Sequence, residues 1–550
     1  MSARRITAAT VGAVLAVVGF LVDAAIWERV LLGAADESLA WGPTLFRILL
    51  VVHGAALIAV ALLPRKIPSK GLRLIELSSG EALGLSALTL LALLLRLWKI
   101  DGGLWIDEVF TLVDYVRAEW GQVLTRFPSQ NQHMLYSLSA KAAVSLGGES
   151  PAMLRLPAAL FGAATVLPLY LLGRRLFGGH EAWIAAALLT VSYHHVWFSQ
   201  SARGYSGLLF FSVAATWLWL ESREHGGRRR WTAYVVALVL GLWIHMTMLF
   251  VVASHGIAWL LSAIRARRWQ LTDSALVAWI VAGTASAQLY AFALPEFLDG
   301  ALHESSMNSE WTNPLWLILE TARGLQVGFS GAAIVLLGGA TLFVGWVGLA
   351  RRSLEAAVVF TLPGLLGAAL IIGMGHNIWP RFFFFTLGFG LLIAVHGALL
   401  LPRVAERARL VSGVWARRVG QAVAAVLILS SAASLPRCYA LPKQDFFGAM
   451  AFVESNRASD DVIVSVGLAA RVYGSYFAPE WPAAQTLDEL RTATPEGRPV
   501  WLLYTLPIEI RAFQPEVWRT IERDYETARV FPGTLGQGEI YVCRRRGDQR

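Results

Sequence analysis

Residues 82–108 read ALGLSALTLLALLLRLWKIDGGLWIDE, and this stretch decides what kind of chain carries it. From position 82 to 98 the only ionisable residue is Arg96. A crossing of the hydrocarbon core takes about 17–25 mostly apolar residues, so the run reads as a membrane helix. It leaves the apolar layer at Lys99 and Asp101, turns at Gly102-Gly103 and closes on two adjacent carboxylates, Asp107 and Glu108.

Outward from this stretch the pattern recurs. Further runs lie at 6–25, 44–63, 152–172, 183–198, 206–220, 274–294, 332–349, 355–374, 382–401 and 422–435. The run 232–264 is too long for one crossing and is interrupted around His245, so it reads as two short spans, making thirteen in all. Composition agrees: 56% of the 550 residues are hydrophobic and 15% charged, against roughly 45–50% and 25% in soluble domains. The first run lacks a small-residue cleavage site and reads as a retained helix.

Loops rich in Lys and Arg stay cytoplasmic. Arg4 and Arg5 therefore place the N-terminus inside, and alternate loops repeat the basic signal at Arg174-Arg175, Arg228 to Arg230, Arg265 to Arg268, Arg351-Arg352 and Arg403 to Arg418. The expected location is the plasma (inner) membrane, with the C-terminal part extracytoplasmic. The net charge of +9 is thus scattered over short loops; no aromatic-interleaved basic patch exists, which argues against nucleic acid as a partner.

Three outer segments exceed simple turns: 99–151, 295–331 and 436–550. In the first, Leu135, Leu138, Ala142 and Leu146 share a helical face, as in a helix lying in the membrane interface. In the last, 443–456 reads as an amphipathic helix and 461–466, 500–504 and 539–543 as strands of a small α/β domain. The expected organisation is a two-helix hairpin with basic linker over 1–80, a membrane core over 81–435 and an extracytoplasmic α/β domain over 436–550. Cys438 and Cys543 are the only cysteines; spacing leaves open whether they are bonded.

Polar groups near membrane depth are functional candidates unless they reach water. Asp107 and Glu108 suit proton removal or metal binding, or are two acids of a solvated loop. His133, in Asn131-Gln132-His133-Met134-Leu135-Tyr136, offers a neutral ring to a sugar or phosphate oxygen, or is structural. Arg203, in Tyr193-His194-His195-Val196-Trp197-Phe198-Ser199-Gln200-Ser201-Ala202-Arg203-Gly204-Tyr205, suits a phosphate, or snorkels to the interface. Arg381, in His376-Asn377-Ile378-Trp379-Pro380-Arg381, stands at a similar outer junction. No Walker loop, Gly-x-Gly-x-x-Gly turn or His-Glu-x-x-His motif is present.

Taken together, these residues resemble the GT-C superfamily of polyprenyl-phosphate-sugar-dependent transferases, specifically the dolichyl-phosphate-mannose protein mannosyltransferase and aminoarabinose lipid A transferase group. The resemblance runs from about residue 82 to the C-terminal domain. It rests on the Asp107-Glu108 pair opening the first large outer loop, on Leu154-Arg155-Leu156-Pro157 and Gly173-Arg174-Arg175-Leu176-Phe177-Gly178, on the Gln-x-Ala-Arg-x-Tyr signature at Gln200, Ala202, Arg203 and Tyr205, and on Arg381-Phe382. Where the family often has His-Pro-Pro-Leu-Tyr, this chain has His133-Met134-Leu135-Tyr136, and its N-terminal hairpin lies outside the common core.

The resemblance implies an all-α polytopic fold with about thirteen spans and inverting transfer from a polyprenyl-phosphate sugar to a lipid, glycan or protein acceptor outside the cytoplasm. It implies Asp107 as base beside Glu108, with Arg203, Arg381, Lys141 and His376 toward the donor phosphate. Substrate contacts are expected from His133, Tyr136, Gln200, Tyr205, His194, His195 and Glu304, and a divalent metal is left open. The rival from another class is a transporter or flippase of a lipid-linked sugar, although transporters gather polar sites at the midplane of two related halves.

Overall fold

The computed structural model describes residues 3–33, 39–62, 75–266, 273–301, 313–325 and 332–547. Helices occupy each apolar run. The interruption at His245 is real: helices Arg228–Ile244 and Met248–Ala266 are separated there, and His245 is extended.

Among the described residues, seven helices are long and apolar enough to cross a membrane, or nine if each of two sharply bent pairs forms one span. One of the thirteen expected runs is divided between two helices. Residues 183–198 divide between helices Gly179–Thr190 and Tyr193–Ser199; a 12-residue helix rises only about 18 Å, too little for a crossing of about 30 Å.

Breaking a helix inside an apolar layer strands carbonyl groups that water cannot satisfy. Arg96, fully buried on helix Ser79–Leu97, resolves this break. Its guanidinium donates to Leu189 O at 3.1 Å and Thr190 O at 3.2 Å, and contacts His195 Nδ1. On the same helix Leu83, Leu90 and Leu94 are exposed while Leu85 and Ala92 are buried, the division expected of a lipid-facing helix.

The C-terminal part contains a five-stranded mixed sheet of β1 (Val462–Val466), β2 (Ala483–Ala484), β3 (Val500–Thr505), β4 (Tyr525–Phe531) and β5 (Ile540–Arg545), in the order β2-β1-β3-β5-β4. β1 runs parallel to β2 and β3, whereas β5 is antiparallel to β3 and β4. The three strands expected from sequence are the inner ones, β1, β3 and β5. β2 is only two residues long, and β4 is exposed along its middle, so neither carries a buried-strand pattern. Cys543 is buried on β5 and Cys438 lies in helix Gly413–Ala440; both are free thiols.

Candidate active site

The loop after helix Ser79–Leu97 forms a short helix, Ile106–Phe110, that continues as a single π-helical stretch, Thr111–Val116. Its first turn holds both acids, where the helix dipole favours negative charge. Adjacent residues on a helix diverge by about 100°, so Asp107 and Glu108 meet different surroundings.

Glu108 is fully buried. Its carboxylate accepts from Arg155 Nε at 2.7 Å and Nη2 at 2.5 Å, from Ala202 N at 2.7 Å and from Trp105 N at 3.2 Å. Burial alone would raise its pKa, but the Arg155 guanidinium outweighs this and holds Glu108 below the ordinary carboxylate value. Arg155 spends its other N–H groups on Ile100 O, Gly102 O and Gly103 O, each within 2.8 Å. Glu108 therefore ties three chain segments together.

Asp107 Oδ2 lies 3.7 Å from Arg381 Nη1 and 4.0 Å from Arg203 Nε. Among the described residues, Asp107 Oδ2, Arg203 Nε and Arg381 Nε are buried with no hydrogen-bond partner. Buried polar atoms are nearly always satisfied, so unpartnered atoms on three charged side chains that meet one another mark a candidate site. Arg203 is held by Nη1, which donates to Asn131 O at 2.7 Å and to Asn131 Oδ1. Arg381 enters from the 3-10 helix Pro380–Thr386, with its guanidinium 4.9 Å from the Trp379 ring centre. Tyr205 lies beside the cluster, with the Arg203 guanidinium 5.6 Å from its ring centre.

His133 lies against this cluster. Its Nδ1 accepts from Gly204 N at 2.7 Å, which leaves the ring proton on Nε2, 3.3 Å from Arg203 Nη2. Two donors thus face each other, and Nε2–H is free to serve another acceptor. Burial, reinforced by Arg203, holds His133 well below its ordinary pKa and keeps it neutral. Gly204 is required here, since a Cβ would stand 2.8 Å from both His133 Nδ1 and Ile244 O.

The remaining expected residues that the structure describes stand apart from this cluster or bond to backbone. Tyr136 is buried and donates to Leu154 O at 2.7 Å. Gln200 donates to Arg96 O and Trp98 O at 3.0 and 2.7 Å, closing the end of helix Ser79–Leu97. His195 is fully buried against Arg96, and His194 is half-buried beside Tyr193. Lys141 is not with the arginines: its Nζ donates to Val116 O at 3.1 Å and Ala118 O at 2.6 Å, where the π-helical stretch ends with unsatisfied carbonyls. His376 follows helix Leu354–Gly373, and its backbone N–H donates to Ile371 O. Glu304 lies outside the described residues.

Four groups were missed. Arg155 could have been found as a cation in an apolar helix, which needs an acid partner, and Asn131 as the immediate neighbour of His133. Lys443 and Gln444, which reach this loop from the C-terminal part, carry no local signal. Among the described residues no group of three or more His, Cys, Asp or Glu is placed to hold a metal.

The chain aligns over 84% of its length with 98% of apo ArnT from Cupriavidus metallidurans, at TM-score 0.51 and 12% identity. The fold is that of the GT-C superfamily. The chain also matches the family model described as dolichyl-phosphate-mannose-protein mannosyltransferase, over residues 133–290. Other solved structures similar to it are the oligosaccharyltransferase AglB from Archaeoglobus fulgidus, in complex with an inhibitory peptide and a dolichol-phosphate (TM-score 0.48, 11% identity, 84% of this chain and 74% of that one), and the arabinosyltransferase EmbB from Mycobacterium smegmatis (0.45, 14%, 72% and 44%). No curated protein matches the chain by sequence.

Proposed function

We propose that this GT-C chain transfers a sugar from a polyprenyl-phosphate carrier to an acceptor hydroxyl on the outer face of the membrane. The observation that carries the reading is the meeting of Asp107, whose Oδ2 has no hydrogen-bond partner among the described residues, with two guanidinium groups, the buried Arg203 and the partly buried Arg381. The matched family model names a dolichyl-phosphate sugar, and the matched residues include His133, Arg203 and Tyr205. The basic loops assign the opposite face to the cytoplasm.

In the reaction the acceptor oxygen bonds to the anomeric carbon while the bond from that carbon to the phosphate oxygen breaks. Asp107 takes the hydroxyl proton, and the polyprenyl phosphate leaves with the bonding pair. Attack opposite to departure inverts the anomeric centre. Fixed cations stabilise the charge that builds on the phosphate, most strongly where water is excluded. Arginine suits this task because its planar fork matches phosphate oxygens, and each cation here retains an unsatisfied Nε. The neutral His133 supplies a further donor through Nε2.

The same two cations hold Asp107 at the centre of the cluster, and a carrier phosphate that draws the guanidinium groups onto itself leaves the carboxylate to the acceptor hydroxyl. Glu108 and Arg155 act one step back by fixing the helix that carries Asp107.

The test is incubation of purified protein with a panel of polyprenyl-phosphate sugars and acceptors, reading transfer by mass spectrometry. Turnover with one donor and inversion at the new bond are expected; a chain that carries an intact lipid-linked sugar across vesicles without cleaving it would instead be a flippase.

A further inference from the structure

The C-terminal part reaches the first outer loop at both ends of the segment that carries Asp107. At its start, the buried side chain of Gln444 accepts from Ile106 N through Oε1 at 3.1 Å. Its Nε2 donates to Thr505 Oγ1 on β3 at 3.2 Å and to Gly538 O at 3.1 Å. Ile106 N is one of the first-turn groups that a helix cannot satisfy by itself; Gln444 thus joins the backbone beside Asp107 to the sheet.

At the far end, Arg471 Nη2 donates to both oxygens of Asp114, at 2.6 and 2.8 Å, and its guanidinium lies 4.2 Å from the Phe110 ring centre. The next outer loop is held as well. Lys443 Nζ stands 5.1 Å from the Trp197 ring centre and donates at 2.6 Å to the carbonyl oxygen of Gln200, three residues before Arg203.

We infer that the C-terminal sheet is part of the catalytic unit and that Gln444 and Arg471 are positioning residues, clamping Ile106–Val116 from both ends so that Asp107 faces Arg203 and Arg381. This rests on the reading of Asp107 as base. The physical need is plain: a five-residue helix has too few internal bonds to hold its own shape, and a displacement of about 1 Å at a reacting group can cost roughly 100-fold in rate.

The experiment compares Gln444→Ala, Gln444→Glu, Arg471→Ala and Arg471→Lys in the full chain by steady-state kinetics and by hydrogen exchange of the peptide spanning 104–116. Both alanine variants should lower kcat by roughly tenfold to 100-fold with donor KM unchanged, and should speed exchange in that peptide. Arg471→Lys should recover part of the rate, as should Gln444→Glu, which keeps the acceptor for Ile106 N but loses both donors to the sheet. The Arg471–Asp114 pair is partly exposed, so its variants test the clamp even where Gln444→Ala fails to fold. Unchanged kcat and exchange in the folded variants overturn the inference, and so does a rise in KM with kcat intact. Exchange reads the clamp without turnover: a wild-type chain inert toward every donor, with exchange still accelerated in Arg471→Ala, refutes the assigned chemistry and upholds the clamp.

Discussion

Two ion-pair clusters share the helix Ile106–Phe110. In one, Glu108 and Arg155 are both deeply buried, and the carboxylate receives four hydrogen bonds. In the other, Asp107 meets Arg203 and Arg381 at 4.0 and 3.7 Å, and among the described residues Asp107 Oδ2, Arg203 Nε and Arg381 Nε have no hydrogen-bond partner. The same chemical types, one residue apart, make a closed joint and an open site. A fully satisfied buried pair specifies structure, because any rearrangement strands a charge; a loosely satisfied one keeps its bonding capacity for something else.

That contrast can be broken most decisively at Asp107. Asp107→Asn should reduce transfer by roughly 100-fold to 10,000-fold, the contribution typical of a positioned base, while the denaturation midpoint in detergent stays put. Near-normal turnover would remove the distinction between the clusters. Arg155→Ala should do the reverse, costing about 3–5 kcal/mol of stability by leaving Glu108 buried and unpaired, read by chemical denaturation. A rate defect with undiminished stability would place Glu108 in the chemistry after all.

Lys141 sharpens the comparison from outside. Because it caps carbonyls at the end of the π-helical stretch, Lys141→Ala should leave donor affinity unchanged and lower stability by up to about 2 kcal/mol. A selective loss of donor binding would return it to the phosphate site.

The smallest effect is expected far away, at Glu509 in the C-terminal part. Burial pushes this carboxyl up to about 7, and its Oε2 has no hydrogen-bond partner among the described residues. The folded state therefore favours the protonated form: the stabilisation is complete below the unfolded value of 4.5 and fades as pH rises through about 7. Glu509→Gln should flatten this dependence and raise the thermal midpoint at pH 8 relative to wild type, with little change at pH 4. Equal pH dependence in both proteins would show that the acid carries no linkage.

Much of the fold was legible because its cues are local. Apolar runs placed the helices, and the alternation broken at His245 placed a real chain break. The break between Thr190 and Tyr193 was not legible: it is stabilised by Arg96, which lies 94 residues before Thr190. In the sheet, β1, β3 and β5 announced themselves through apolar runs, whereas edge strands β2 and β4 bury too little to do so. At the site, Asp107, Arg203, Arg381 and His133 were marked as polar groups at the ends of apolar spans. Tyr136, Gln200 and His195 stood in the same motifs, yet their bonds go to neighbouring backbone or to Arg96.

The amino-acid order alone determined a many-helix membrane chain with its acids and unpaired cations gathered at one set of helix ends, because hydropathy and charge act within a few residues of where they are written. Only the tertiary structure decided that Asp107 is open and Glu108 closed, and that Gln444 grips Ile106 from 338 positions away. Those outcomes depend on which way a side chain turns on its helix and on what distant segment arrives to meet it.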